Sequence, residues 1–255
     1  TGITRLGKFL YTRNYPEALN LDILLTHAHW DHIMGLPLFH PFFFSINSFN
    51  IYAPGLEESD VSKMIIKLHQ VSNTSIPFEK LGANINFKNL KNGSKLDIND
   101  LVIETYQLNH PSMDLGYKIK SKKTGHTITI LTDIAPIENN YLPWGWKELA
   151  IGKEKEFEQN YYNGLISFID NSDILVFDTH FTEKDIKGKR HWGHSTNEMG
   201  LRIAKDGRCD TLLMSHHNPN YSDGFLDMYY EDTVRIGKEM NIDVDIAKER
   251  ASINI

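Results

Sequence analysis

The chain concentrates metal-binding chemistry in one short stretch, Thr26-His27-Ala28-His29-Trp30-Asp31-His32. Three imidazoles and a carboxylate so close together suit borderline divalent ions such as zinc, and they suffice to serve two ions. A polar loop with incidental histidines is the competing explanation. Donors at this density and spacing rarely accumulate without a ligand to hold. The residues just before them, Leu21-Asp22-Ile23-Leu24-Leu25, read as a buried strand ending at Thr26. Past a strand end the backbone is still extended, so His27 and His29 are expected to point to the same side. Asp31 and His32 follow as the chain turns toward a helix expected over Ile33–Phe39, its N-terminus facing the metals.

Further donors stand behind other strand-like segments. Leu101–Leu108 alternates like a strand before Asn109-His110, and Leu115-Gly116-Tyr117 follows. His126–Thr132 is a second such segment, closed by Asp133, and Thr211–Ser215 leads into His216. By itself Asp133 reads as a strand-terminal turn residue. Other strands are expected at 50–53, 86–90, 116–120, 173–177 and 242–246, and helices at 57–71, 196–204 and 224–240. In the first of these helices Val61, Met64, Ile65, Leu68 and Val71 recur with a helical period. Residues 144–170 read as a charged, mostly helical insertion. Strands and helices in this order give a mixed α/β (α+β) chain.

The pattern His-x-His-x-Asp-His, followed in order by His110, Asp133 and His216, resembles the signature of the metallo-β-lactamase superfamily, and the resemblance spans nearly the whole chain. It implies an αββα sandwich, two mixed sheets flanked by helices, formed by residues 1–255 as one domain. It implies one metal held by His27, His29 and His110, a second held by Asp31, His32 and His216, and Asp133 bridging both. Two divalent ions, zinc first with manganese or iron as alternatives, would share a hydroxide and clamp the oxygens of a displacement. Thr1-Gly2, followed by Ile3-Thr4-Arg5-Leu6-Gly7, looks like the tail of a segment that closes an early strand in this superfamily, so preceding strands are expected to be missing from this numbering.

Two more motifs point to phosphodiesters. Ile174–Phe181 resembles the tRNase Z segment with an acidic residue at Asp178, and Gly193-His194-Ser195-Thr196 resembles the His-Ser-Thr loop of the same family. The resemblance makes His194 the proton donor to the leaving oxygen and Asp178 the carboxylate that orients it; Asp31 is counted with them among the catalytic residues. The bland alternative for His194 is a loop histidine beside a helix cap at Ser195 or Thr196. His191-Trp192-Gly193-His194-Ser195 and His216-His217-Asn218-Pro219 are similar to segments of bacterial phosphodiesterases with this fold.

These motifs lead first to an enzyme, a dinuclear phosphodiesterase that opens 3′,5′-cyclic nucleotides (cAMP or cGMP) to 5′-monophosphates. The alternative is a tRNase Z-like RNA 3′-end endonuclease of the same bond polarity, and a metal- or nucleotide-sequestering protein without catalysis is a third. His191, Trp192 and His217 are expected to line the pocket or support it. Phe42, Phe43, Phe44, Trp144 and Trp146 are expected to serve as core or to cap the site, and His40, His69 and His126 to be structural or solvated.

Composition narrows the partners. The chain has 255 residues and a formal net charge of −6, which argues against the broad basic surface of a nucleic-acid binder and favours a small phosphodiester substrate. No run approaches the ~20 apolar residues that span a bilayer, and no signal peptide is visible, so a cytoplasmic protein without a membrane partner is expected. The single cysteine, Cys209, excludes an internal disulfide and reads as a small core residue. The resemblance also allows a homodimer.

Overall fold

The computed structural model describes residues 2–14, 17–55, 63, 65–69, 76–136, 152–249 and 251–253. They fall into two units, Thr1–Lys91 and Asn92–Ile255, each built on its own sheet.

The first unit carries three parallel strands, β1 (Asn20–Leu24), β2 (Ser48–Pro54) and β3 (Asn84–Leu90), in the order β1-β2-β3. β1 is less buried than its apolar sequence suggests, because only Leu25, just beyond it, is enclosed. Its Asp22 faces solvent and accepts a hydrogen bond from Asn50 at 2.9 Å. The opening residues, expected as the end of a strand, form helix α1 (Gly2–Asn14) instead. Ile3 and Leu10 pack into the core on a helical spacing, and a Cβ on Gly7 would meet the Phe39 ring at 2.8 Å.

The helix expected over 33–39 is also different. Helix α2 covers only Trp30–Ile33, and Leu36–Leu38 and His40–Phe43 are single 3-10 turns. Pro37 and Pro41 open those turns and lack the amide hydrogens that a continuous α-helix needs. Phe39, Phe42 and Phe49 meet edge to face at 4.9–5.7 Å. Phe42 is therefore core rather than a cap over the site, and Phe44 stacks on Tyr11. Within the expected helix 57–71, residues 65–68 are helical with Ile65 and Leu68 buried; Val61, Met64 and Val71 lie outside the described residues.

The second unit holds a seven-stranded sheet in the order β10-β9-β8-β7-β6-β5-β4. Its strands are β4 (Lys95–Ile98), β5 (Leu101–Gln107), β6 (Leu115–Ser121), β7 (Thr127–Leu131), β8 (Ile174–Asp178), β9 (Thr211–Ser215) and β10 (Asp243–Ile246). β7 to β10 run parallel to one another, and β4 to β7 alternate in direction. Helices α3 (Glu154–Ile169), α4 (Asn197–Asp206) and α5 (Asp223–Met240) supply the remaining apolar faces.

The described part of the charged stretch 144–170 contributes to this core. Tyr161, Leu165 and Ile169, on one face of α3, are buried with Leu175, Phe177, Leu201 and Leu212. Trp144 and Trp146 lie outside the described residues. Cys209 is in the same core, where burial pushes its thiol up to about 11 and leaves it inert.

Candidate metal centre and general acid

Strand direction gathers the chemistry of the second unit at one sheet edge. β5, β7, β8 and β9 all run the same way, since β6 is antiparallel to both β5 and β7. Their C-terminal ends therefore share an edge, and there the chain places His110, Asp133, Asp178 and His216. β6 runs the other way, so Asp114, just before its first residue, belongs to the same edge. Backbone ties fix the strand ends: Ala135 N–H donates to Asn109 O at 2.7 Å, and Thr179 N–H to Ser215 O at 3.0 Å.

Asp133 and His216 both adopt left-handed backbone, each with φ of 56°. Non-glycine residues pay for that conformation in steric strain, and such strain is kept where a side chain must be aimed. Here it brings Asp133 Oδ1 to 3.0 Å from His216 Nε2. One ligand atom each from Asp133, Asp178, His194 and His216 lies within 4.8 Å of the others. Asp133 and Asp178 are 1% and 0% exposed. Carboxylates gathered with imidazoles and shut away from water call for positive charge beside them, so these residues fit divalent cations.

His194 is reached through a loop whose backbone is built for close approach. Gly193 has φ of 97°, and a Cβ there would lie 2.3 Å from the His110 ring. His194 Nδ1 lies 2.8 Å from Asp178 Oδ2 and 3.6 Å from Asp133 Oδ1. The other oxygen of Asp178 accepts the His180 N–H at 2.9 Å. Ser195 donates to Ile134 O, and Thr196 caps α4 by accepting from Met199 N–H at 3.2 Å. Capping thus falls to Thr196, and His194 is left to the carboxylate. The base of the loop is held by a buried hydroxyl: Tyr229 Oη lies 2.8 Å from Phe181 O and 2.6 Å from Asn197 Oδ1.

In the first unit the donors follow β1 directly. His27 is buried, and its ring lies 4.6 Å from that of His29 and 4.2 Å from that of His32. Thr26 Oγ1 is 3.1 Å from His27 Nδ1, and Asp31, exposed, lies 3.2 Å from His32 Nε2.

Two residues of the second-unit edge have no counterpart among the sequence-predicted ones. Asp114 is 0% exposed, and its Oδ2 lies 3.9 Å from His110 Nδ1, which also meets Ser112 Oγ at 3.0 Å. Burial, then Asp133 and Asp178, push the Asp114 carboxyl well above the usual range. Its one sequence signal is an acid four positions after a ligand histidine. His180 stacks on His194 at 4.3 Å with Nδ1 2.9 Å from His216 O. Other histidines have ordinary places: His40 packs on Tyr11, His69 is buried with Nδ1 3.1 Å from Ile65 O, and His126 pairs with Asp173. His217 lies half-buried near Ala247 O, and His191 and Trp192 are exposed.

No family model matches the chain. Ribonuclease Z of Oceanobacillus iheyensis is 26% identical over 262 residues, covering 90% of this chain and 81% of that protein. Among solved structures, the metallo-β-lactamase fold protein YhfI from Bacillus subtilis superposes with a TM-score of 0.60 at 17% identity, over 89% of this chain and 74% of that one. The short form of human tRNase Z gives 0.56 at 18% identity, over 92% of this chain and 79% of that one. With its fold shared by these structures and its donors in the superfamily's order, the chain belongs to the metallo-β-lactamase superfamily, in the branch of the ribonuclease Z proteins and related phosphodiesterases.

Proposed function

We propose that the chain is a metal-dependent phosphodiesterase that cleaves RNA, with His194 as general acid. The observation that carries this reading is the 2.8 Å hydrogen bond between buried Asp178 and His194. With Nδ1–H donated to Asp178, Nε2 is the ring atom left to deliver a proton. Asp178 cannot swing away, because the His180 N–H holds its second oxygen. An alkoxide leaves phosphorus poorly, and a positioned imidazolium that protonates it contributes roughly 10²–10⁴-fold. Delivery to the 3′ oxygen gives a 3′-hydroxyl and a 5′-phosphate.

We assign His27, His29, Asp31 and His32 of the first unit, and His110, Asp133 and His216 of the second, to two divalent ions. Residues 1–255 are on this reading one catalytic domain. When bound, the ions neutralise the phosphate and acidify water toward neutral pH. Zinc suits this donor set, and manganese and iron tolerate it.

The similarity to ribonuclease Z over nine-tenths of the chain supports RNA over the cyclic nucleotide to which the sequence motifs lead first. The net charge of −6 favours the smaller substrate, which keeps cyclic nucleotides as the second reading. No helix among the described residues is long and apolar enough to cross a membrane. The test is metal-reconstituted protein supplied with RNA bearing a 3′ extension and, separately, with 3′,5′-cAMP. The expected result is RNA cleavage to 3′-hydroxyl and 5′-phosphate ends, lost in His194→Ala. Turnover of cAMP alone, or RNA products ending in 3′-phosphate, would overturn it.

A further inference from the structure

Residues 182–195 leave the site edge and return to it as a closed loop. Its base is the bridge between Phe181 and Thr196, with Phe181 N–H donating to Ser195 O at 3.0 Å. Ile186 is fully buried and anchors the loop. Asp185 is tied down by Tyr221 Oη at 2.6 Å and Thr182 Oγ1 at 3.0 Å. The result is a compact surface loop with closed ends, of the kind that often carries function.

This loop carries a local excess of positive charge, four basic residues against Glu183 and Asp185, in a chain of net charge −6. Lys184, Lys187, Lys189 and Arg190 fall within one short run, and Lys184 and Lys187 are exposed. Among the described residues none of them makes an ion pair within 4.0 Å. Lys189 Nζ lies 5.0 Å from the Phe181 ring and 5.7 Å from the Trp192 ring. Trp192 is 53% exposed, although an indole of that size gains by burial. The next residue is Gly193, packed against His110, and the one after is His194. An exposed indole flanked by cations is the combination that single-stranded nucleic acids select: bases stack on the ring while lysines and arginines follow the phosphates.

We propose that the 182–192 loop is the docking platform for the single-stranded RNA segment that adjoins the cleaved bond, with Trp192 stacking a base and Lys184, Lys187 and Arg190 meeting phosphates. The proposal rests on the RNA reading above. It also reconciles that reading with the acidic whole, since the positive charge is local to the site.

The test uses the full chain and a fluorescein-labelled single-stranded RNA, with anisotropy titrations between 50 and 200 mM salt and cleavage followed in parallel. Lys123→Ala, on the turn between β6 and β7 at the opposite sheet edge, is the control. Trp192→Ala is expected to weaken binding roughly 5- to 100-fold, and Trp192→Phe to restore most of it. Lys184→Ala with Lys187→Ala should lower the salt slope by about 0.7 for each phosphate that is no longer neutralised. Wild-type binding and cleavage with loop variants that match Lys123→Ala would overturn the platform and leave the RNA reading standing. Wild-type protein that neither binds nor cleaves RNA would overturn the RNA reading and the platform together.

Discussion

At the scale of single residues, Asp114 and Gly193 decide how His110 is held. Ligand atoms of His110, Asp114 and Asp133 lie within 4.8 Å of one another, and the Asp114 carboxyl is sealed from water. A carboxylate beside the second ring nitrogen of a ligand histidine fixes its orientation and raises its basicity. Asp114→Asn is expected to weaken metal binding by about 10- to 100-fold with the fold retained, as read by calorimetric titration of the apo protein. Gly193→Ala puts a methyl group into the His110 ring on a backbone with φ of 97°. The substitution should cost about 1–3 kcal/mol in denaturant unfolding and displace His110, lowering metal affinity as well. A melting curve and metal titration matching wild type would refute both effects.

At the scale of elements, the ties between strand ends and helices set the precision of the edge. The Tyr229 hydroxyl joins α5 to Phe181 and Asn197, and Asn197 in turn donates to Thr233 at 2.7 Å. Tyr229→Phe leaves buried Asn197 and Phe181 groups unpaired, so a loss of about 1–3 kcal/mol is expected, with a fall in kcat larger than any rise in KM. At the far edge, Asp173 accepts from Thr127 N–H at 2.6 Å and lies 3.0 Å from His126 Nδ1, joining the starts of β7 and β8. Burial alone would raise the Asp173 carboxyl, but the hydrogen bonds from His126 and Thr127 outweigh it and hold it below the usual range. A folded value below the unfolded one stabilises at higher pH. This contribution is complete at neutral pH and is lost as pH falls below the ordinary value of 3.8 toward the lower folded one. Asp173→Asn should flatten that part of the acid limb, and an unchanged stability profile between pH 5 and 2 would exclude the role.

At the scale of the whole molecule, metal and fold are linked through buried charge. Asp114, Asp133 and Asp178 are all closed from solvent, and cations that bind only the folded chain stabilise it by mass action. Chelation should therefore lower the melting temperature, and Asp133→Asn, with one buried charge fewer, should melt higher than wild type in chelator; the reverse order would contradict the linkage. Much of this molecule is legible without coordinates. The His-x-His-x-Asp-His run and the strand ends before His110, Asp133 and His216 rest on periodicity and local spacing, which sequence carries directly, whereas the Asp178 and His194 motifs are legible through their resemblance to tRNase Z segments. The helices at 2–14 and 30–33 depart from expectation, because the first packs through a face set by Phe39 and the second is stopped by proline-led turns. Spacing gives Asp114 only its place four positions after His110 and gives His180 no signal at all. Their importance comes from β6 running against β5 and β7, and from a ring stacked on His194, both of which follow from pairing across sequence distance. Residue spacing determines which donors the chain owns and in what order; only strand direction and a left-handed turn at Asp133 and His216 decide that the second unit's donors, His110, Asp133, Asp178 and His216, share one edge, because distance between side chains is a property of the folded backbone.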